Sequence, residues 1–489
     1  MFLGKSQDTV VDAQFLLGVI AFKENHFQDA INLLSVAIEA RPTVAEYYKI
    51  LGDVFQADRK TEEAVSAYRQ GYNVSPTNIQ IGMSLARALR SNGGESEALN
   101  VVKEISSRHG NSTFAATLAS WRLSYVPSSE EQMADMRRDY EQAVNALTKI
   151  DGPTDEELLL YTATNFLAAY QGMDDRRFQE VIADFYIRTC PALRYRAPHV
   201  DQPAAPKFRI GFVSENFRSH TIGLLYQGLI AQFNQRDWEV YVYAGGHVDE
   251  VTRHIQSNCH TLRPLPVHLR DARDLIAADR LDVLYFADIG MNPLTYFLAF
   301  ARLARVQCVG WGHPMTTGIP SIDFFISSKH LESDDTNAAN SRYTEKLILL
   351  NSPPTYLYPF DEGIVDKEPV KPTTDDQTLY FCSQTLYKIH PDFDQIIIKI
   401  LQRDPKGVAV FIEGQPSWSE ALWQRWNLID AETSRRIKFI QRMDKKSFLS
   451  MLATADVILD TIYFSGGITS VEALSVGTPV ITYAGTPFM

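Results

Sequence analysis

The sequence predicts an α-helical solenoid followed by two doubly wound α/β halves. Three observations carry that prediction: a repeat of about 34 residues in the N-terminal third, a proline-rich break after Cys190, and beyond it short apolar runs alternating with helical segments. At 489 residues the chain is too long for one core and needs several domains. The composition is globular, with 45% hydrophobic and 22% charged residues. A net charge of -12 argues against general binding to a phosphate backbone, which needs a basic surface. It leaves room for a nucleotide pocket, where a few amides or one lysine suffice.

The repeat comes first. Leu17-Gly18, Ala21, Ala30, Leu34, Ala37 and Pro42 recur as Leu51-Gly52, Phe55, Ala64, Tyr68, Gly71 and Pro76, and more weakly as Leu85-Ala86, Leu89, Ala98, Val102, Ile105 and Gly110. This is the tetratricopeptide pattern: small residues let paired helices approach, large ones fill the space between repeats, and proline stops the second helix. Stacked copies over residues 11–125 bury what one repeat cannot, and they present a concave face suited to a peptide or partner protein. Residues 126–206 read as a helical cap and linker. Ser129-Glu130-Glu131-Gln132 starts one helix, Asp155-Glu156-Glu157 opens another running on through Phe166 and Leu167, and Pro191 to Pro206 is the linker.

The first α/β half, residues 207–355, has expected strands at 208–214, 239–243, 282–286, 306–311, 324–326 and 346–350. The second, residues 356–489, has them at 379–382, 408–412, 437–440, 457–460 and 479–482. Strand–helix alternation at this spacing implies mainly parallel sheets with helices on both faces. Two such halves leave a cleft at the carboxyl ends of their strands.

The scattered cysteines Cys190, Cys259, Cys308 and Cys382 form no metal-ligand spacing and read as free thiols of a reducing compartment. The start MFLGKSQDTVVDAQ lacks the apolar core of a signal peptide, and no stretch approaches the ~18 apolar residues that span a bilayer. The expectation is a cytoplasmic protein with no membrane span, no nucleic-acid partner and no metal. The strongest local feature is Ser465-Gly466-Gly467-Ile468-Thr469-Ser470 between a strand and a helix. Its glycines let main-chain amides approach phosphate oxygens, the helix N-terminus adds a favourable dipole, and Glu472 stands where it could accept from a ribose diol. It is neither a Walker A loop nor a GxGxxG fingerprint, and a plain strand-to-helix turn would also use glycine.

Four stretches in order, FVSENFRSHTIGLL, VQCVGWGHPMTTGIPSIDFFISS, FCSQTLYKIHP and the glycine-rich loop, carry a resemblance. From about Arg209 to Met489 the chain resembles the catalytic region of the O-GlcNAc transferase family, with its Spindly-type O-fucosyltransferases and bacterial N-glycosyltransferases. The resemblance implies a GT-B fold of two Rossmann-like halves and an inverting, metal-independent transfer of GlcNAc or Glc from a UDP-sugar to a protein side chain, with no cofactor. It implies that His220 is the active-site histidine and that Lys388 neutralises the donor diphosphate. Gly466, Gly467, Thr469 and Ser470 then fall in the phosphate-binding run, Glu472 on the ribose, and Phe448 and Lys445 beside the base. His313 matches a histidine of the bacterial N-glycosyltransferases, where the animal enzymes carry tyrosine. His330 and His390 read as solvated. Gly467-Ile468 replaces the histidine-threonine pair of the animal enzymes. In the family, helices follow the last strand, so the second half is expected to be incomplete at Met489. A GDP-fucose donor, or a partner-binding scaffold without catalysis, stays open.

Overall fold

A computed structural model describes residues 2–110, 112–203, 206–359, 365 and 372–483, with side chains from residue 8 onward. The chain divides into two compact units, residues 1–118 with 415–417, and residues 119–414 with 418–489.

The first unit is built on three helix pairs: α1 (Phe2–Lys23), α2 (Phe27–Ala40), α3 (Ala45–Ala57), α4 (Thr61–Val74), α5 (Ile79–Ser91) and α6 (Glu95–Arg108). The register read from the sequence is the register of the core, because Ala30, Leu34 and Ala37, Ala64, Tyr68 and Gly71, and Ala98, Val102 and Ile105 are all buried. A Cβ on Gly52 would lie 2.5 Å from the Tyr68 ring, so glycine permits the α3–α4 approach. The turn inside each pair repeats too. Asn25, Arg59 and Gly93 stand at the same register position with φ of 62°, 62° and 85°, each ending a first helix in the left-handed conformation.

The second unit opens with a helical layer containing Glu130–Ala146 and Arg176–Thr189, the former capped by Ser129 Oγ accepting from Gln132 N. Between them the structure departs from the sequence reading. The single helix expected from Asp155 is two 3-10 turns, Glu156–Tyr161 and Phe166–Gln171. Thr162 Oγ1 bonds Leu159 O and Asn165 Nδ2 bonds Tyr140 OH, so side chains replace the helical ladder between the turns. The expected linker is also structured. Pro191–Arg194 and Pro198–Asp201 are 3-10 turns, and Leu193, Ala197, His199 and Val200 are buried. This strap is joined to the first α/β half by a bridge between Arg196 and Arg302.

The first sheet holds β1 (Phe208–Ser214), β2 (Trp238–Ala244), β3 (Thr261–Pro264), β4 (Val283–Phe286), β5 (Val306–Val309), β6 (Phe324–Ser328) and β7 (Lys346–Leu350), in the order β3-β2-β1-β4-β5-β6-β7. The second holds β8 (Thr378–Cys382), β9 (Gly407–Ile412), β10 (Ile437–Ile440), β11 (Val457–Leu459) and β12 (Val480–Ile481), in the order β10-β9-β8-β11-β12. All their pairings are parallel. The edge strand β3 escapes sequence reading because its four residues are polar or partly exposed. In each sheet the winding reverses once, between β1 and β4 and between β8 and β11. Crevices open outside the carboxyl ends of strands at such reversals. Cys190, Cys308 and Cys382 are buried free thiols, and Cys259 is half-buried. Among the described residues no helix is long and apolar enough to cross a membrane.

Candidate functional site

Two loops leave the second sheet at its reversal point. One follows β8 and carries Gln384 and Lys388; the other follows β11 and carries Asp460, Phe464 and the glycine-rich run into the helix Ile468–Ser475. They are tied by one hydrogen-bonded chain. Lys388 Nζ donates to Gln384 Oε1 at 2.8 Å and to Ser465 O at 3.0 Å, and Gln384 Nε2 donates to Thr469 Oγ1 at 2.8 Å. Thr469 Oγ1 in turn donates to Gly466 O at 2.9 Å. A Cβ on Gly466 would fall 2.4 Å from Gln384 Nε2 and 2.5 Å from Ser470 Oγ, so only glycine fits this knot of polar atoms. Gly467 begins the helix at φ 53° and ψ -111°, a conformation only glycine adopts readily. Ser470 Oγ is buried and makes no hydrogen bond among the described residues. A hydroxyl left this way beside a helix N-terminus is suited to an anion acceptor.

Burial pushes the Lys388 amine down to about 8, against the pull of the Asp460 carboxylate. Its ammonium lies 4.8 Å over the Phe464 ring. Asp460 is itself pushed up by burial, with Thr482 Oγ1 donating to it at 3.0 Å. The predicted residues Lys388, Gly466, Gly467, Thr469 and Ser470 therefore converge. Glu472, Lys445 and Phe448 form a second group one helical turn along. The buried Glu472 carboxylate accepts from Lys445 Nζ, which also sits 5.7 Å from the Phe448 ring centre. Burial raises the Glu472 pKa while Lys445 opposes it. Phe448 is half-buried and leans on Phe381 in the core, with ring centroids 6.5 Å apart.

The first half supplies the facing wall. His220 N-caps the helix Thr221–Ala231, its Nδ1 accepting from Ile222 N at 3.2 Å, which leaves Nε2 as the other ring nitrogen. Burial, then the Arg218 charge, holds its pKa below the usual histidine value. Ile222 and Ala287 share one buried cluster with Ile468, so the glycine-loop helix meets the first half beside His220. His313 is 3% exposed, and burial pushes it down to about 4, so it is neutral at physiological pH. Its ring stacks on Phe166 at 5.2 Å and 17°. At the β1/β4 reversal Asp288 is fully buried, accepts from Asn216 Nδ2 at 3.1 Å and is pushed up to about 7 by burial.

His390 corrects the sequence reading. Instead of being solvated it is half-buried, caps the helix Pro391–Arg403 through Nδ1, packs edge-on against Tyr463 at 4.4 Å and is pushed down to about 4 by burial. His330 is exposed, as expected. Sequence reasoning missed Gln384 and Asp460, although Gln384 lies within FCSQTLYKIHP. It also missed Phe166, Tyr170 and Tyr387, whose rings pack on one another beside Lys388, although Tyr387 too lies within FCSQTLYKIHP.

Residues 183–358 and 370–488 match glycosyl transferase family 41. The chain is similar to the probable UDP-N-acetylglucosamine–peptide N-acetylglucosaminyltransferase SEC of Arabidopsis thaliana, 26% identical over 293 residues, covering 56% of this chain and 29% of that protein. It is also similar to the probable UDP-N-acetylglucosamine–peptide N-acetylglucosaminyltransferase SPINDLY of Oryza sativa subsp. japonica, 25% identical over 305 residues, covering 57% and 30%. The chain thus spans about 30% of the length of these curated relatives. Among solved structures, a mutant of the Thermobaculum terrenum O-GlcNAc transferase superposes with a TM-score of 0.66 at 20% identity, over 98% of this chain and 83% of that one. That likeness is one of fold.

Proposed function

The chain belongs to glycosyl transferase family 41, and from that premise we propose that it transfers GlcNAc or Glc from a UDP-sugar to a protein side chain, with inversion and without a metal, in the cytoplasm. The observation that carries this reading is the Lys388–Gln384–Thr469–Gly466 chain with the unsatisfied Ser470 hydroxyl at a helix N-terminus. In such a transfer the acceptor loses a proton as its oxygen or nitrogen bonds the anomeric carbon. The bond from that carbon to the diphosphate oxygen breaks, and its electron pair leaves with the diphosphate. With no metal ion to share that charge, an ammonium and preorganised N–H and O–H donors must take it. Lys388 and the loop fit that task. Attack from the face opposite the diphosphate inverts the centre.

On the acceptor side, His220 through Nε2 is the first candidate to orient or deprotonate the nucleophile, and His313 the second. With its pKa near 4, His313 suits a neutral hydrogen-bonding role better than that of a strong base. Glu472 is assigned to the ribose, Lys445 to the base, and Phe448 to stacking near the base. The concave face of residues 11–125 is assigned to the protein or peptide acceptor.

Calorimetric titration with UDP tests the donor assignment, and a folded protein that binds none overturns it. Lys388→Ala should abolish transfer while the fold persists; unchanged turnover would remove Lys388 from the reaction. One observation favours a second reading. The Lys445–Glu472 ion pair already occupies the carboxylate assigned to ribose, as expected of a scaffold that binds partners without catalysis. If UDP-GlcNAc, UDP-Glc and GDP-fucose all stay intact while peptides bind residues 11–125, that reading prevails.

A further inference from the structure

The turn Phe166–Gln171 lies outside both α/β halves, yet it touches the candidate groups of each. On the first half, the Phe166 ring stacks nearly parallel on the His313 imidazole, with centroids 5.2 Å apart. Two residues earlier, Thr164 Oγ1 donates to Gly290 O. Gly290 lies beside the same imidazole, for a Cβ there would stand 3.1 Å from His313 Cδ2. One short segment therefore grips both the histidine and the backbone that confines it. Toward the second half, Phe166 meets Tyr170 edge-on at 5.2 Å, and Tyr170 meets Phe464 at 4.5 Å. Phe464 is the ring beneath the Lys388 ammonium. Phe166 and Tyr170 also each contact Tyr387, the residue before Lys388.

We propose that Phe166 is a positioning residue that sets the placement of His313 at the cleft and, through Tyr170 and Phe464, registers it against Lys388. The inference rests on the transferase reading. A parallel aromatic face limits rotation of the imidazole and keeps its two nitrogens in the plane of the stack. A catalytic or orienting group displaced by a fraction of an ångström loses much of its advantage. Phe166 itself need touch no substrate.

The test uses the full chain with histidine ring carbons labelled. His313 is assigned by the resonance missing in His313→Gln. Phe166→Leu keeps the apolar volume but removes the ring face. It should move the His313 Cε1–H resonance downfield, as the ring current is lost, and lower kcat about tenfold or more with the KM for the UDP-sugar unchanged. Phe166→Tyr restores the ring and should return both the resonance and kcat to near wild type. Phe166→Met serves the same purpose as leucine if the leucine variant fails to fold. An unmoved His313 resonance together with wild-type kcat in the leucine or methionine variant overturns the proposal. So does a tyrosine variant that folds yet behaves like leucine. If wild-type protein transfers no sugar, the transferase reading fails on its own, and the resonance still decides whether Phe166 places His313.

Discussion

If Lys388 holds a diphosphate, nucleotide binding and protonation of its amine are linked. Burial brings the free amine down to about 8 from an ordinary 10.5. A bound diphosphate replaces lost solvation with negative charge and returns the amine toward or above that ordinary value. Only the ammonium form then binds well. Below about pH 7 the site is nearly all ammonium and affinity is flat in this respect. Above about pH 8 affinity falls roughly tenfold per pH unit, or about 1.4 kcal/mol. Between pH 7 and pH 9 the loss comes to about tenfold, since the ammonium fraction drops from about nine-tenths to about one-tenth. The terminal phosphate of UDP is already ionised there, its second pKa lying near 6. Calorimetry of UDP binding in two buffers of unlike protonation enthalpy reads the slope and the proton uptake together. About half a proton should be taken up at pH 8. Lys388→Met should bind more weakly and lose this part of the slope. Wild-type protein that binds UDP with no slope, or a slope that survives intact in Lys388→Met, would refute the reasoning.

The buried His313 should make the fold acid-sensitive. Its folded pKa of about 4 lies below the unfolded 6.5, so the unfolded chain binds more protons between them and stability falls as pH drops through that window, by roughly 3 kcal/mol. Asp288 and Asp175, pushed up by burial to about 7 and about 6, act in the opposite sense, so the comparison must be made by difference. The advantage of wild type over His313→Gln in urea unfolding should shrink from pH 6.5 to pH 4, and a constant difference counts against a neutral buried imidazole. Asp394 is 3% exposed and takes two bonds of 2.7 Å from Arg425 and one of 2.7 Å from Trp426. Asp394→Ala leaves that guanidinium buried without a counter-charge, held only by the Pro127 and Ile389 carbonyls, and should cost roughly 3–5 kcal/mol in the unfolding transition. A loss below about 1 kcal/mol would show that Arg425 finds another partner.

Much of the fold was legible because its signals are local. The 34-residue register of Ala30, Ala64 and Ala98 returns as three residues with no exposure at all, since identical positions in stacked helix pairs meet identical neighbours. Buried parallel strands announce themselves as apolar runs, and β1 spans the residues its run predicts. The short edge strand β3 and the two 3-10 turns between Glu156 and Gln171 did not, because pairing partners and side-chain bonds decide them. The packing of Phe166, Tyr170 and Tyr387 on one another stayed hidden for the same reason: an aromatic side chain looks like core until its neighbours are known.

By itself the sequence determined that a glycine-rich turn enters a helix after a buried strand; that glycine is required there is a finding of the structure. Gly467 needs its positive φ, and Gly466 admits no side chain. Only the tertiary structure decided what that turn faces. Lys388 lies 77 residues from Ser465 along the chain and bonds its carbonyl because β8 and β11 are neighbours in the sheet. Ile468 joins the buried cluster that holds Ile222 of the other half for a reason no local pattern contains, since that cluster forms only once both sheets have folded. Charge state follows the same division. The lysine and the histidines can be read from the letters, but the shifts of Lys388 and His313 come from burial, which is a property of the assembled fold.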